Sequence, residues 1–306
     1  MADRVCLVTG SSSGIGAAVA RHFAARGCDV VIHYHSGADR AAAIVAALRQ
    51  QCEVEALALG ADLSEPSAAG RLVDQTCRHF GRLDVVVSNS GVTSYVPDAQ
   101  GAPQRYRFHE TPAEHLDCEM KRVLDLNLMG GYRVAQSALK RMIEQAERER
   151  SGGATQRHRS ILFITSVSDT APEATRIPYG VSKAGLNHVV LGAALEGGPY
   201  NVTVNALRPG IVDTPMTSRP SGVVDPDTGH ELTVAQTYAL MADGGSQPIR
   251  RLGRPEDVAE AAYAFTQLSF MTGQLIAVDG GFTLASGFQN RELFLREGLR
   301  RRHERP

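Results

Sequence analysis

Tyr179 and Lys183 stand four positions apart in the stretch IPYGVSKAG, a spacing that puts both on one face of a helix. A free tyrosine has a pKa near ~10 and holds its proton too tightly to cycle as acid and base at neutral pH. An ammonium beside it favours the phenolate, so such a pair can exchange a proton with a bound oxygen. The same spacing also suits a packed tyrosine and a surface lysine. A second constellation lies at the start of the chain, where a strand-like run leads into TGSSSGIG, residues 9–16. Gly10, Gly14 and Gly16 permit a tight turn, and with Ser12, Ser13 and Ile15 they bring backbone N–H groups to one place. The following helix adds about half a positive charge, which together suits a pyrophosphate.

These residues need a scaffold, and hydropathy outlines one. Apolar, β-branched runs at 5–9, 29–34, 54–59, 83–88, 160–165, 202–207 and 274–278 read as strands. Helical patterns at 15–26, 38–51, 67–80, 120–148, 179–195 and 255–268 alternate with them. The alternation predicts an α/β fold, a single Rossmann-type doubly wound parallel sheet with helices on both faces. Three stretches break it. Residues 93–119 read as a long polar loop, 150–159 as an exposed loop, and 213–249 as a mobile flap rich in turn signals. The charged tail reads as a solvated helix or disordered end, with a subunit contact as the alternative.

Bulk properties narrow the function. The chain has 306 residues, a net charge of −1, 43% hydrophobic and 21% charged residues. No overall field recruits nucleic acid or an anionic membrane. The five cysteines form no C-x-x-C pair, so neither a disulfide framework nor a zinc site is expected. Cys6 reads as a buried, inert thiol. His109 and His115 lie near Glu110 and Glu114 without i, i+4 histidine spacing, and no metal is expected. The opening MADRVCLVTG has no signal-peptide pattern, and no apolar run reaches membrane-spanning length. A cytoplasmic location is expected.

The glycine loop is followed in order by SNSG at 88–91, Asn127 in LNLMG, ITSVS at 164–168, YGVSK at 179–183, RPG at 208–210 and VDGG at 278–281. In this order, with Ser166 thirteen positions before Tyr179, residues 4–285 resemble the short-chain dehydrogenase/reductase family, and most nearly bacterial proteins labelled ketoacyl reductases. The resemblance implies one dinucleotide-binding catalytic domain over 1–285, with 286–306 as a charged C-terminal extension. It also implies hydride transfer between a nicotinamide cofactor and a carbonyl carbon. Tyr179 would then move the proton, while Lys183 tunes it and holds the nicotinamide ribose. Ser166 would bind the substrate oxygen, and Asn127 would hold a water that relays protons to Lys183. Asp62 and Leu63 would contact adenine, Asn89 and Gly91 would line the adenosine ribose, and Pro209, Gly210, Val212 and Thr214 would complete the cofactor contacts. Asp62 equally suits a cap ahead of Ser64.

Departures from the family pattern matter. Ser88 and Ser90 stand where the family has asparagine and alanine. EGGPYN follows the YGVSK helix, so that helix is expected to end early. Tyr34 occupies the position where NAD-preferring relatives carry an acidic residue. His35, Ser36 and Arg40 then suit a 2′-phosphate, whereas Ser13 replaces the basic residue of many NADP-preferring relatives. NADP(H) is favoured over NAD(H).

Three functions stay open: an NADP-dependent carbonyl or 3-oxoacyl reductase, an NAD-dependent dehydrogenase of a sugar, polyol or other secondary alcohol, and a non-catalytic dinucleotide-binding regulator. A proton donor argues against the last. The expected partner is a small-molecule carbonyl or alcohol, bound through the loops 93–119 and 213–249. A homo-tetramer or homo-dimer is implied, with no nucleic acid and no membrane.

Overall fold

The computed structural model describes residues 4–94, 96–97, 103–104, 106–285 and 290–304. Residues 95, 98–102 and 105 of the expected 93–119 loop lie outside the described residues, as do 286–289 and 305–306 of the expected tail. Strands β1 (Val5–Val8), β2 (Asp29–Tyr34) and β3 (Ala56–Gly60) alternate with helices α1 (Gly14–Ala24), α2 (Ala38–Gln51) and α3 (Ala68–Phe80), and β4 (Val85–Ser88) follows. Gly81, at φ +73, closes α3 in the left-handed region that glycine tolerates. Two short strands, β5 (Val96–Pro97) and β6 (Pro103–Gln104), pair antiparallel. Next come α4 (Ala113–Val123), a π-helical turn at Leu124–Gly130, α5 (Gly131–Ser151), β7 (Arg159–Ile164), α6 (Ile177–Gly197) and β8 (Val202–Pro209). The hairpin β9 (Pro220–Val224) and β10 (Glu231–Thr233) precedes α7 (Val234–Met241), α8 (Pro255–Gln267), β11 (Leu275–Val278) and α9 (Arg291–Glu304).

The seven-stranded sheet has the order β11-β8-β7-β4-β1-β2-β3, and every pairing in it is parallel. Because successive side chains of a strand point to opposite faces, each strand feeds two cores. Cys6, Val8, Val30 and Ile32 pack with Phe23, Leu48 and Val258 of α1, α2 and α8. Leu7, Val31, Val86 and Phe163 pack with Leu72, Met142 and Val190 of α3, α5 and α6. Burying a side chain such as Phe163 contributes roughly 1.5–3 kcal/mol. Burial also pushes the Cys6 thiol well above its ordinary range. The chain winds outward from β1 in both directions, so the crevice beyond the ends of β1 and β4 is a topological switch point.

Four expectations need correction. The long helix does not start at 120: α4 begins at Ala113, inside the expected loop. Its exposed polar face hid the helical period. The helix is also interrupted, by the π-helical turn that carries Asn127. The 213–249 segment is folded as a hairpin and a helix, and Thr233 and Gln236 close a capping box at the helix start. The tail helix α9 is docked, with Phe294 and Leu295 packed against the cluster of Val234, Tyr238 and Met241. Helix α6, by contrast, ends within EGGPYN as expected, at Gly197. Among the described residues no helix is long and apolar enough to cross a membrane.

Candidate functional site

The crevice beyond the strand ends has two connected halves, and the glycine loop builds the first. Gly10 and Gly14 take φ of +63 and +55, where other residues are strained. A Cβ on Gly16 would stand 2.5 Å from the Gly10 carbonyl oxygen and 2.6 Å from Asn89 Nδ2. Asn89 ties the loop to β4. Its Nδ2 donates to the Thr9 and Gly10 carbonyls at 2.9 and 3.2 Å, and its N–H donates to Thr9 Oγ1 at 2.9 Å.

His33 is a residue that the sequence reading passed over. It is 2% exposed. The Gly10 N–H donates to its Nδ1 at 3.0 Å, and Nε2 lies 3.1 Å from the Ala61 carbonyl oxygen. Both contacts are satisfied only by the neutral ring with the proton on Nε2. Burial lowers its pKa to about 4. His33 therefore latches the glycine loop to the end of β3. A polar residue inside the buried run DVVIHY was the available signal.

The structure brings Gly10, Ser12, Ser13, Gly14 and Ile15 into one cavity with His35, Ser36 and Arg40. Asp62, Leu63, Asn89 and Gly91 line its other side. Asp62 accepts from Ser64 N and Oγ at 2.9 and 2.7 Å, and these bonds lower its pKa. Its Oδ2 lies 3.8 Å from His35 Nε2. Asp62 thus lines the cavity and closes a turn at Ser64, but it does not cap a helix, because α3 starts at Ala68 with Ser67 as its N-cap. Gly16 is packed under the loop against Gly10 and Asn89, and the cavity that Gly10, Ser12, Ser13, Gly14 and Ile15 line above it fits a dinucleotide. Among the described residues no group of three or more His, Cys, Asp or Glu could hold a metal ion.

The second half lies under the flap. Tyr179 sits in the first turn of α6, where Pro178 suits the helix start, and its N–H donates to Ser94 Oγ at 2.9 Å. Lys183 is buried one turn on. Its Nζ donates to the Ile164 carbonyl at 3.1 Å and lies 5.6 Å from the Tyr179 ring centroid. Ser166, beyond the end of β7, accepts from Ser168 N at 3.1 Å. Ser166, Tyr179 and Lys183 line one cavity with Asn89, Gly91, Pro209, Gly210, Val212 and Thr214.

Asn127 is fully buried and does not line that cavity. Its Oδ1 accepts from Val92 N at 2.8 Å, and its Nδ2 donates to the Val92 carbonyl at 2.8 Å and to Ser182 Oγ at 3.1 Å. It braces the segment after SNSG against α6.

The sequence reading also missed a cluster around Thr93. Arg176 Nη2 and Arg219 Nη2 both donate to Thr93 Oγ1, at 2.7 and 3.2 Å. Arg176 pairs with Glu173 at 2.5 Å and stacks over Tyr179 at 4.9 Å. Tyr238 of the flap donates to Glu173 Oε1 at 3.2 Å, and Arg291 of α9 stacks over Tyr238 at 5.7 Å. No local spacing signals this convergence.

Comparison with known proteins agrees with this geometry. The profile of the family described as Enoyl-(Acyl carrier protein) reductase matches residues 10–283. A Streptomyces violaceoruber protein with the provisional name granaticin polyketide synthase ketoacyl reductase 2 is 36% identical over 90% of this chain and 95% of its own. The 3beta-hydroxysteroid dehydrogenase 1 of Eggerthella lenta is 32% identical over 94% of this chain and 96% of its own. The crystal structure of a 3-oxoacyl-[acyl-carrier protein] reductase from Brucella melitensis in complex with NAD superposes with a TM-score of 0.75 at 29% identity. That match covers 92% of this chain and 98% of that one.

Proposed function

The chain belongs to the short-chain dehydrogenase/reductase family and is an oxidoreductase of ketones and alcohols, and from that premise we propose that it is an NADP(H)-preferring reductase of a ketone or 3-oxoacyl group. The observation that carries this reading is the single cavity shared by Ser166, Tyr179 and Lys183, open to the glycine-loop cavity through Asn89 and Gly91.

A bound nicotinamide dinucleotide supplies the hydride. In this reading the glycine loop and the N-terminus of α1 hold its pyrophosphate, and Asp62, Leu63, Asn89 and Gly91 hold the adenosine end. Lys183 and the residues Pro209, Gly210, Val212 and Thr214 hold the nicotinamide end. Ser166 donates to the substrate oxygen and Tyr179 gives it a proton. Lys183 Nζ, held by the Ile164 carbonyl, keeps a positive charge beside the phenol as that proton leaves. The Asn127 side chain is spent on Val92 and Ser182, so a relay water falls to its backbone carbonyl, in the π-helical turn. We also assign self-association to α4–α6, where Leu116, Met129, Tyr132 and Val181 are exposed.

NADP(H) is supported by the end of β2, where Tyr34, His35 and Ser36, with Arg40 of α2, line the cavity and the strand itself ends without a carboxylate; Asp62, from beyond β3, lies 3.8 Å from His35. A second reading, NAD-dependent oxidation of a secondary alcohol, has support in the hydroxysteroid dehydrogenase relative and in the NAD complex of the Brucella reductase. Nicotinamide fluorescence separates the two, since the chain has no tryptophan to interfere. Tighter NADPH than NADH binding is expected, and His35→Asp should weaken NADPH selectively. Tighter NADH binding, or an NADPH/NADH ratio unmoved by His35→Asp, would overturn the NADP(H) assignment.

A further inference from the structure

We propose that Arg176 is a positioning residue for Tyr179: its guanidinium, stacked on the phenol ring, is a second cation beside Lys183 that favours loss of the tyrosine proton. This rests on the oxidoreductase reading above and names a further residue of its site. Arg176 Cζ lies 4.9 Å from the Tyr179 ring centroid and Lys183 Nζ lies 5.6 Å from it, both within the ~6 Å over which a cation acts on an aromatic ring. Helical spacing delivers Lys183. It does not deliver Arg176, which is the N-cap of α6 and has a non-helical backbone.

The surroundings hold the guanidinium in place. Its Nη1 pairs with Glu173 Oε2 at 2.5 Å, and its Nη2 donates to Thr93 Oγ1 at 2.7 Å. Tyr238 donates to the other oxygen of Glu173 at 3.2 Å, and Arg291 of α9 stacks over Tyr238 at 5.7 Å. The preceding residue, Thr175, takes φ +68. A β-branched residue in the left-handed region is strained, and such strain persists where the surrounding contacts over-determine it. The strained turn leads directly into Arg176. Glu173 offsets the charge of Arg176 without cancelling its field at the ring. Arg176 and Tyr179 line the catalytic cavity together, whereas Glu173 does not line it, so the pair is a dipole with its positive end at the phenol. The two side chains are 13% and 11% exposed, and charges so placed are screened far less than at the surface. A positive charge at that distance favours the ionised phenol. The other charged groups around Tyr179 are Lys183 on its own helix, Arg219 of the flap at Thr93, Asp169 paired with Arg208, and His115 paired with Glu119 on α4. The variants below leave all of these in place.

The test follows the ionisation of Tyr179 by carbon NMR of protein isotopically labelled at the tyrosine Cζ, with saturating NADP⁺ or NAD⁺. Tyr179→Phe identifies the signal. Arg176→Gln should raise the Tyr179 midpoint by about one pH unit, because it removes the positive charge and leaves Glu173 behind. Glu173→Gln should lower it, because it uncovers the charge of Arg176, which Thr93 still holds. Arg176→Lys keeps the charge and should restore most of the wild-type midpoint. A side chain that only packed the loop would not give shifts of opposite sign. Midpoints within ~0.2 pH unit of wild type in both glutamine variants, or shifts of the same sign, would overturn the proposal. So would a wild-type Tyr179 that stays neutral to about pH 10, the range of a free tyrosine. Where Arg176→Gln does not fold, the sign of the Glu173→Gln shift decides. The NMR readout needs no substrate, so it separates this proposal from the reading beneath it. Opposed shifts in a protein that reduces neither cyclohexanone, acetophenone nor an acetoacetyl thioester would sink the reductase reading and keep the role of Arg176. Reduction of these carbonyls with unmoved midpoints would do the reverse.

Discussion

The glycine loop and the flap face each other across one crevice, close enough that a Cβ added at Gly14 would stand 3.5 Å from Thr214, yet they are held by different means. The loop is built of backbone. Glycine turns, Asn89 and the His33 latch fix it against strands that neighbour it in the sheet. The flap is built of distant parts. Its helix α7 is covered by α9, and the two approach so closely that side chains are excluded. A Cβ on Gly298 would stand 1.9 Å from the Leu240 carbonyl oxygen, and one on Gly244 would stand 2.0 Å from that of Phe294. Arg302 adds ion pairs to Asp225, both bonds at 2.9 Å, and to Asp227. These pairs are partly exposed, and such pairs contribute little each, so the glycine contacts set the seat of α9. A rigid half thus faces a half whose shape depends on the far end of the chain. That division lets one scaffold keep its cofactor while its substrate wall varies.

Tyr179, at the seam of the two halves, should show the largest effect. Tyr179→Phe is expected to lower kcat by ~10²–10⁴-fold, the usual share of proton transfer, with cofactor affinity retained. Turnover near the wild-type level would remove the tyrosine from the chemistry.

The rigid half carries a pH signature. His33 is held at about 4 in the folded protein against an ordinary 6.5, so the native state keeps it neutral while the unfolded chain takes up a proton. Its contribution is complete above pH 6.5 and is lost as pH falls from there to about 4. The loss is roughly 3 kcal/mol, at ~1.36 kcal/mol per pH unit. Urea titrations across this window should show wild type losing more stability than His33→Phe. His158, also lowered to about 4 by burial, titrates alike in both proteins, so the difference isolates His33. Parallel curves would show that the latch does not titrate as its burial implies.

A pair of glycine substitutions sharpens the contrast with the smallest effects. Gly16→Val places atoms on the Gly10 carbonyl, and overpacking of this kind costs ~1–3 kcal/mol. It should weaken NADPH and NADH binding at least tenfold. Gly298→Val should lever α9 from α7 and raise KM for the carbonyl several-fold, leaving the cofactor Kd within about twofold. If Gly298→Val moved cofactor affinity as much as KM, the two halves would not be separable.

Much of the scaffold was legible because its signals are short-range. Strands β1, β2 and β4 are each built on three or four consecutive apolar residues, α2 begins and ends where the helical pattern does, and the glycine loop is contiguous. Helix α4 was missed because its polar residues outnumber the apolar ones that face inward. Helix α7 was legible in principle, since TVAQ is a capping box, but the turn signals around it dominated. His33 was hidden by the assumption that a residue in a buried strand is apolar.

The chain order alone determined the α/β alternation, the phosphate-binding turn and the facing of Tyr179 and Lys183, because each depends on the period of one helix or strand or on a few adjacent residues. Only the tertiary structure decided what meets that pair. Thr93 and Arg219 are 126 positions apart and Asp225 and Arg302 are 77 apart, so no local period relates them. Their contact follows from the sheet order, which carries the flap back over the crevice, and from the docking of α9, which holds it there. The placement of two guanidinium groups on one hydroxyl is a property of packing, because the energy that selects it is shared among segments that the chain keeps far apart.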